Sequence, residues 1–389
     1  MTTDPVLFSI FLIFTGGAIL ATVALFARQA LIVAYIAVGI ALGPYGLGLI
    51  SDPTTIKEIS DVGIIFLLFL LGLDLQPQEL WNMLRKATLV TAISSVVFGA
   101  VGVIVAKTFG YGLIESLVVG AAMMFSSTII GLKLLPTTVL HHQHTGEIII
   151  SILLLQDLIA IIVLLAVQGM GSGAMAWGEL GQLGLALPAL VIFAIVVERY
   201  VLVPLIARFD TIQEYIFLVA IGWCLGMAEL AGLLGLSHEI GAFIGGVVLA
   251  SSPIALFIAE SLRPLRDFFL VMFFFSLGAG FNLGVIGDVL FPALALAGAA
   301  LVLKPLLFRI LLRRVGEASG RSLEVGVRLG QISEFSLLIA VTALSAGLIS
   351  AEASYLIQLA TLLTFVVSSY VVVLRYPTPI AISDRLRRN

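Results

Sequence analysis

The stretch SILLLQDLIAIIVLLAV, residues 151–167, contains one charged residue, Asp157, in an otherwise apolar run. The run lies inside a predicted helix at 148–168, and about 20 apolar residues are enough to cross a bilayer. A carboxylate near the middle of a membrane costs about 2.5–3.5 kcal/mol on insertion scales. Such a charge is typical of a protein that binds a cation or moves protons within the membrane. This stretch therefore predicts both a helical membrane fold and the position of its site.

The rest of the chain has the composition of an integral membrane protein. Its 389 residues are 60% hydrophobic and only 11% charged, against about 25% charged in soluble domains, and the mean hydropathy is +1.18. No Walker or Rossmann glycine pattern follows a strand signal, so we do not expect nucleotide-driven transport by this chain. No nucleophile–base pair or metal set appears at matching depths, so we expect no enzyme, and we also expect no cytosolic nucleotide-binding domain in these residues and no nucleic-acid partner. Apolar runs separated by Gly, Pro or charge predict an all-α fold of thirteen transmembrane helices, at 5–26, 30–49, 58–75, 87–107, 113–132, 148–168, 182–206, 212–235, 239–255, 265–282, 288–312, 323–346 and 352–375.

The basic residues favour one orientation of these helices. Of the 20 Lys and Arg residues, one is Lys304 within a predicted helix, and 17 fall in or beside alternate connections and at the C-terminus. The opposite connections hold only Lys57 and Lys107. By the positive-inside rule, this asymmetry predicts a multi-pass protein with its N-terminus outside and its C-terminus in the cytoplasm.

Two predicted helices, seven spans apart, are interrupted by polar residues. The first contains MMFSSTIIGLKLLP (123–136), with the polar residues Ser126, Ser127 and Thr128. The second contains GQISEFSLLIA (330–340), with the polar residues Gln331 and Glu334. Because seven is an odd number of spans, the two segments face opposite ways across the bilayer. Matching interruptions in two halves predict an inverted repeat whose broken helices enclose a transport site. A lone Ser or Thr also commonly returns a hydrogen bond to its own helix, which is the structural alternative.

Lys304 and Glu334 are the two other charges in apolar segments. A lone ammonium inside a helix bundle is expected to have a carboxylate partner, for which Asp157 is the first candidate and Glu334 the second. Lys304 either has a structural role, compensating the ends of the broken helices, or acts as a second proton carrier. Glu334 either lines the ion path or offsets the dipoles of the half-helices.

Several further groups are better explained as solvated or packing residues. The histidines 141, 142 and 144 fall in a predicted short cytoplasmic loop, where a pH-regulatory role stays open. Asp74, His238 and the mixed charges from Glu260 to Asp267 are expected at helix ends or in a connector. Glu229 lies inside the predicted apolar span 212–235, nearer its outer side, where a local polar contact is the favoured interpretation. The glycine-rich stretch GAFIGGVVLASS (241–252) predicts close helix contact, either within the chain or at a dimer face.

Five motifs in order resemble the membrane domain of the monovalent cation:proton antiporter-2 family, and its glutathione-gated potassium efflux branch most of all. They are GLDLQPQELW (72–81), LLLQDLIAI around Asp157, EIGAFIGGVVLASS (239–252), FFFSLGAGFNLGV (273–285) and GQISEFSLLIA (330–340). The resemblance covers residues 5 to 375. It implies an NhaA-like fold with two broken crossing helices, a homodimer in a bacterial inner membrane, and an elevator-type movement. The core would be about 87–168 and 288–375, and the dimerisation scaffold about 5–75 and 182–282.

The resemblance also assigns roles to residues. It makes Asp157 the ion-binding and proton-exchanging carboxylate, with Gln156, Ser126, Ser127 and Thr128 around it, and Lys304, Gln331 and Glu334 as core residues near the breaks. Electrogenic relatives carry two acidic residues in tandem, whereas the first position here is Gln156. A single exchangeable carboxylate predicts an electroneutral one-for-one exchange, and the Gln–Asp pair favours K⁺ over Na⁺.

The sequence therefore predicts a secondary active antiporter that exchanges a monovalent cation for H⁺, with no cofactor and no metal beyond the transported cation. Its expected partners are membrane lipid and a second copy. Members of the potassium efflux branch continue into a regulatory cytosolic domain after the point where this sequence stops, so a regulatory domain or subunit outside the chain is a further expectation. A gated cation channel and a sodium-coupled symporter of related fold stay open as alternatives.

Overall fold

The computed structural model describes residues 5–27, 29, 31–50, 54–74, 77–133, 144–171, 177–209, 212–236, 238–250, 252 and 255–378. Within these residues every regular element is helical. The α-helices are α1 Pro5–Phe26, α2 Leu31–Leu42, α3 Thr54–Asp74, α4 Pro77–Thr108, α5 Leu113–Met123, α6 Thr128–Lys133, α7 His144–Gly171, α8 Trp177–Val197, α9 Val203–Arg208, α10 Gln213–Leu233, α11 His238–Ala250, α12 Ala255–Ala279, α13 Ile286–Arg314, α14 Ser319–Arg328, α15 Glu334–Ser345 and α16 Ala351–Arg375.

Seven helices of the described residues are long and apolar enough to cross a membrane, and five further apolar helices are shorter. The prediction of an all-helical, multi-pass membrane protein is confirmed at this level. The count of thirteen spans and the inverted repeat stay predictions.

The charged residues from Glu260 to Asp267 are placed differently from the expectation. We expected a connector there, followed by a helix beginning at 265. The helix α12 instead begins at Ala255 and continues through Pro264, with Arg266 Nη2 paired to Asp267 Oδ1 at 3.1 Å. Hydropathy marks where an apolar run ends, whereas a helix continues as long as its backbone hydrogen bonds do. The charges therefore ended the predicted span but not the helix.

The chain divides into two compact units. The first takes its residues from Met1–Gly17, Tyr35–Trp81 and Gly173–Gly280. The second takes them from Ala18–Ala34, Asn82–Ser172 and Phe281–Asn389. Asp157 and the two predicted breaks belong to the second unit, and the assignment of core and scaffold movements to these parts stays a prediction.

In the first unit, α3 packs between α11 and α12, and glycines set how closely the helices approach. A Cβ atom on Gly246 would lie 2.1 Å from the carbonyl oxygen of Phe69, and one on Gly241 would lie 2.1 Å from that of Met227. Of the two alternatives that the glycine-rich stretch left open, the contact within the chain is therefore present at both positions.

In the second unit, α13 packs against α14 and α16, while α15 contacts α5, α7 and α16. Helix α4 meets α5 at another glycine pair, since a Cβ on Gly102 would lie 2.8 Å from the Cα of Gly120. Helix α7, which carries Asp157, therefore lies beside helices that adjoin both breaks.

We predict that Gly246→Ala lowers the thermal stability of the purified protein, because the added methyl group forces α11 away from α3. Overpacking of this kind costs about 1–3 kcal/mol. The matched control is Gly222→Ala on α10, where a Cβ meets nothing within 4 Å, and this variant should be at least as stable as the wild type. Equal unfolding temperatures for Gly246→Ala and the wild type, measured in detergent, would show that the close helix contact is not needed.

Candidate functional site

Both predicted interruptions are present as unwound segments between two helices. Helix α5 ends at Met123 and α6 begins at Thr128, while α14 ends at Arg328 and α15 begins at Glu334. The second half-helices start with serine caps: Ser127 Oγ accepts a hydrogen bond from Ile130 N, and Ser333 Oγ accepts one from Phe335 N, both at 3.1 Å. Each break leaves backbone groups without helical partners, and within a membrane protein those groups need partners from elsewhere in the fold.

Lys304 supplies partners to both breaks at once. Its Nζ atom donates to the carbonyl oxygens of Phe125 at 2.6 Å and Gln331 at 3.0 Å. The side chain is fully buried, with the ammonium 5.3 Å from the centroid of the Phe98 ring. The carbonyl ends of broken helices carry partial negative charge, which an ammonium stabilises.

The partner of Lys304 thus differs from the expectation. The sequence led us to expect a carboxylate, Asp157 first, whereas the hydrogen bonds of Lys304 go to two backbone carbonyls. Charged residues can be identified in a sequence, whereas the backbone carbonyl groups that a helix break exposes cannot. Two such carbonyls together replace the carboxylate as the acceptor for the ammonium.

Side chains of the breaks also bond to the opposite break. Ser126 Oγ donates to the carbonyl oxygen of Leu329 at 2.8 Å, and Gln331 Nε2 donates to that of Ser127 at 3.4 Å. The Gln331 side chain is held at its other end by Ser368 Oγ, which donates to Gln331 Oε1 at 3.0 Å. The polar residues that the sequence singled out therefore lie together and satisfy much of the hydrogen bonding of both breaks.

Gln156 is bound to the first break through both ends of its amide. Its Oε1 accepts from the backbone N–H of Ser126 at 2.9 Å, and its Nε2 donates to the carbonyl oxygen of Met124 at 3.3 Å. The side chain is fully buried. An amide has both a donor and an acceptor, so Gln156 matches a segment that offers one N–H and one C=O.

Asp157, the next residue on α7, points to a different partner. Its two carboxylate oxygens lie 3.3 and 3.2 Å from Thr128 Oγ1, the hydroxyl of the first residue of α6. Only 1% of the residue is exposed. The structure therefore places the expected carboxylate against the first break, with a hydroxyl as its neighbour.

A second carboxyl group stands near Asp157. Glu334 is the first residue of α15, is 6% exposed, and lies close enough to Asp157 for the two carboxyl groups to interact electrostatically. Two buried carboxylates that interact electrostatically are costly to ionise together unless a proton or a cation neutralises one of them. A direct interaction between these two residues was not predicted, because 177 positions separate them along the chain.

Helix α16 contributes residues that the sequence analysis missed. Thr364 Oγ1 accepts a hydrogen bond from the backbone N–H of Ile332 at 3.0 Å, and Ser368 binds Gln331 as described above. Both are buried, together with Thr361 and Ser369. Their spacing of three, seven and eight residues from Thr361 lies on one face of a helix, a polar stripe in an apolar span that could have identified them.

Other candidates have local partners. His144 lies between Glu147 and Glu317, with each ring nitrogen 2.9 Å from a carboxylate oxygen. Glu229 and His238 are exposed and 3.9 Å apart. Pro136, His141 and His142 lie outside the described residues. Among the residues that are described, no group of three or more His, Cys, Asp or Glu side chains could hold a metal ion.

The chain shares sequence and fold with known membrane transporters. It is 29% identical over 346 residues to a protein named iron transporter MagA, from Paramagnetospirillum magneticum, covering 88% of this chain and 79% of that one. Its fold is similar to the structure of the sodium proton antiporter MjNhaP1 from Methanocaldococcus jannaschii at pH 8. That similarity has a TM-score of 0.69 and 18% identity, and covers 94% of this chain and 95% of the other.

The family model described as "Sodium/hydrogen exchanger, transmembrane" matches residues 10–374. The match includes both breaks, α7 with Asp157, and α13 with Lys304. The chain therefore belongs to the sodium/hydrogen exchanger family.

Proposed function

We propose that this protein exchanges a monovalent cation for protons, with Asp157 as the group that binds either ion. The carrying observation is a buried carboxylate that faces the Thr128 hydroxyl at the break between α5 and α6, with Glu334 close by. Membership of a family of cation:proton exchangers supports the same reaction class.

The exchange follows from competition for one carboxylate. An ionised Asp157 is too costly to carry through an apolar barrier, whereas the protonated or cation-bound form is neutral. If only the neutral forms let the site change its access from one side of the membrane to the other, each cation moved one way is coupled to a proton moved the other way. An elevator-type movement of the core against a dimerisation scaffold would provide that change of access.

The choice of cation rests on the oxygen donors and on the Gln–Asp pair. Carboxylate, hydroxyl and carbonyl oxygens suit hard cations, and the resemblance of Gln156–Asp157 to potassium efflux transporters favours K⁺ over Na⁺. The relative named for iron makes Fe²⁺ a necessary comparison in any flux measurement. A channel and a sodium-coupled symporter are the remaining alternatives, and both lack coupled proton movement in the opposite direction.

The hydrogen bonds of Gln156 and Lys304 support an electroneutral cycle. Gln156 carries no titratable proton, and both ends of its amide are engaged with the first break. Lys304 is engaged with carbonyl groups of both breaks, which favours a structural role over a second proton carrier. With one exchanging carboxylate, one cation balances one proton.

The expected setting is the inner membrane of a bacterium, with the N-terminus outside, the C-terminus in the cytoplasm and a homodimer as the assembly. The asymmetry of basic residues supports this orientation. Surface labelling of cysteines introduced near each end, in intact cells and in inverted vesicles, would test it.

We expect Asp157→Asn to abolish exchange, because the amide cannot take up or release a proton and carries no charge for a cation. The measurement is proton flux into proteoliposomes under separate K⁺, Na⁺, Li⁺ and Fe²⁺ gradients, followed with a pH-sensitive dye at clamped membrane potential. The matched control is Asp288→Asn, which changes an exposed carboxylate in the first turn of α13 and should keep wild-type flux. Normal flux in Asp157→Asn would remove this residue from the mechanism, and ion flux without proton flux in the wild type would favour a channel.

Lys304→Met should lower stability more than it changes coupling. Removing the ammonium leaves the carbonyl groups of Phe125 and Gln331 without this donor, at about 1–3 kcal/mol for each buried unsatisfied group. The thermal unfolding temperature in detergent measures the loss, and the ratio of cations to protons in proteoliposomes measures coupling. A variant that folds with wild-type stability but no longer couples the two fluxes would identify Lys304 as a proton carrier.

Gln156→Glu should make exchange sensitive to membrane potential, since it adds a second acidic group beside Asp157. It should also destabilise the first break, because an ionised carboxylate cannot donate to the Met124 carbonyl. Initial rates at several imposed potentials, compared with those of the wild type, test the first effect. Potential-driven exchange in the wild type itself would contradict the electroneutral cycle.

A further inference from the structure

The C-terminal part of α13 has an outward face that the transport site does not use. An open depression of about 580 Å³ is lined there by Leu306, Arg309, Ile310, Arg313 and Arg314. We call it the arginine pocket. At 100° per residue these five positions lie on one face of the helix, and three of them carry a guanidinium group. The buried Lys304 lies on the opposite face, so the two sets of charges do not share a site.

The length of α13 places the pocket where lipid headgroups lie. The helix has 29 residues, about 43 Å at 1.5 Å per residue. The 21 steps from Asp288 to Arg309 span about 31 Å, close to the 30 Å thickness of the hydrocarbon core. With Asp288 at one interface, Arg309 is therefore at the other, and Arg313 and Arg314 extend into the headgroup region.

Among the described residues, no carboxylate balances the positive charge of the arginine pocket. In the part of the chain that the structure describes, no carboxylate oxygen lies within 4.0 Å of the guanidinium groups of Arg309, Arg313 or Arg314. The acid next in sequence, Glu317, uses one oxygen for His144 at 2.9 Å and the other for Arg321 at 3.0 Å. Arg309 is oriented by its own bond, from Nη2 to Ser319 Oγ at 3.2 Å.

An exposed apolar surface continues from the pocket along the same helix. Val302, Leu303, Leu306 and Ile310 are 58%, 38%, 47% and 50% exposed. Inorganic phosphate or a soluble anion would use only the arginines. A phospholipid contacts both the arginines and the apolar surface, because its phosphate binds guanidinium groups and its acyl chains cover the apolar side chains.

We propose that the arginine pocket binds the phosphate headgroup of an anionic phospholipid, whose acyl chains lie along the exposed apolar face of α13. The site is independent of the ion exchanged at Asp157. Lys304, on the opposite face of the same helix, bonds to both breaks. A lipid bound in the arginine pocket therefore holds this helix at a fixed depth in the membrane.

The test compares the purified full chain in neutral detergent with added phosphatidylglycerol, phosphatidylcholine or inorganic phosphate. Phosphatidylglycerol should raise the unfolding temperature of the wild type, and native mass spectrometry should detect retained lipid. The triple variant Arg309→Gln, Arg313→Gln, Arg314→Gln should lose most of both effects. A double variant, Arg313→Gln with Arg314→Gln, keeps the Arg309–Ser319 bond and should show a partial loss even if the triple variant folds poorly.

The matched control removes three exposed arginines elsewhere, through Arg199→Gln, Arg208→Gln and Arg375→Gln, and should keep the wild-type response. The proposal is overturned if the double variant binds phosphatidylglycerol like the wild type. It is also overturned if the control loses the response equally, which would indicate attraction by net charge alone. An equal shift with inorganic phosphate or with phosphatidylcholine would rule out an anionic phospholipid as the ligand.

Discussion

The ammonium of Lys304, bonded to one carbonyl oxygen from each break, is the interaction on which the site depends. Two helices that lose their hydrogen bonding inside a membrane protein expose groups that no water in the lipid can satisfy. Lys304 binds the carbonyl groups of Phe125 and Gln331 together, and the hydrogen bond from Ser126 Oγ to the Leu329 carbonyl oxygen adds a second connection. Breaking the helices frees backbone groups and polar side chains, and Lys304 bonds to one freed carbonyl group of each break.

Gln156 and Asp157 show how adjacent residues of one helix acquire different tasks. The amide of Gln156 bridges backbone groups on both sides of Phe125, in the first break. Asp157 instead faces Thr128 and stands near Glu334. The neutral residue bonds the first break, and the acidic residue is the one we propose to carry the exchangeable charge. Glu334 brings a second carboxyl group from the other half of the chain, and it interacts electrostatically with Asp157.

Helix α13 joins this interior to the membrane surface. Its inward face carries Lys304, while its outward face passes from apolar side chains to Arg309, Arg313 and Arg314. The basic residues also fit the ordinary enrichment of Arg at cytoplasmic helix ends. Their concave arrangement, the apolar face beside them and the engagement of Glu317 elsewhere distinguish them from an isolated positive cluster. Lys304 and the arginine pocket thus lie on two faces of one helix.

Hydropathy and isolated charges were enough to predict a helical membrane protein, the breaks near Ser126 and Gln331, and a buried acid at Asp157. The family confirms a cation:proton antiporter rather than an enzyme, while the potassium preference and the residue roles stay proposals. These features were predictable because a charge or a break in an apolar helix is costly wherever it lies, so it can be recognised from the sequence alone. The partners were decided only by the tertiary structure. These partners depend on which backbone groups two distant breaks bring together, and the type of a residue does not reveal this. They are the carbonyl acceptors of Lys304, the amide bridge of Gln156, the interaction of Glu334 with Asp157 and the hydrogen bonds of Thr364 and Ser368.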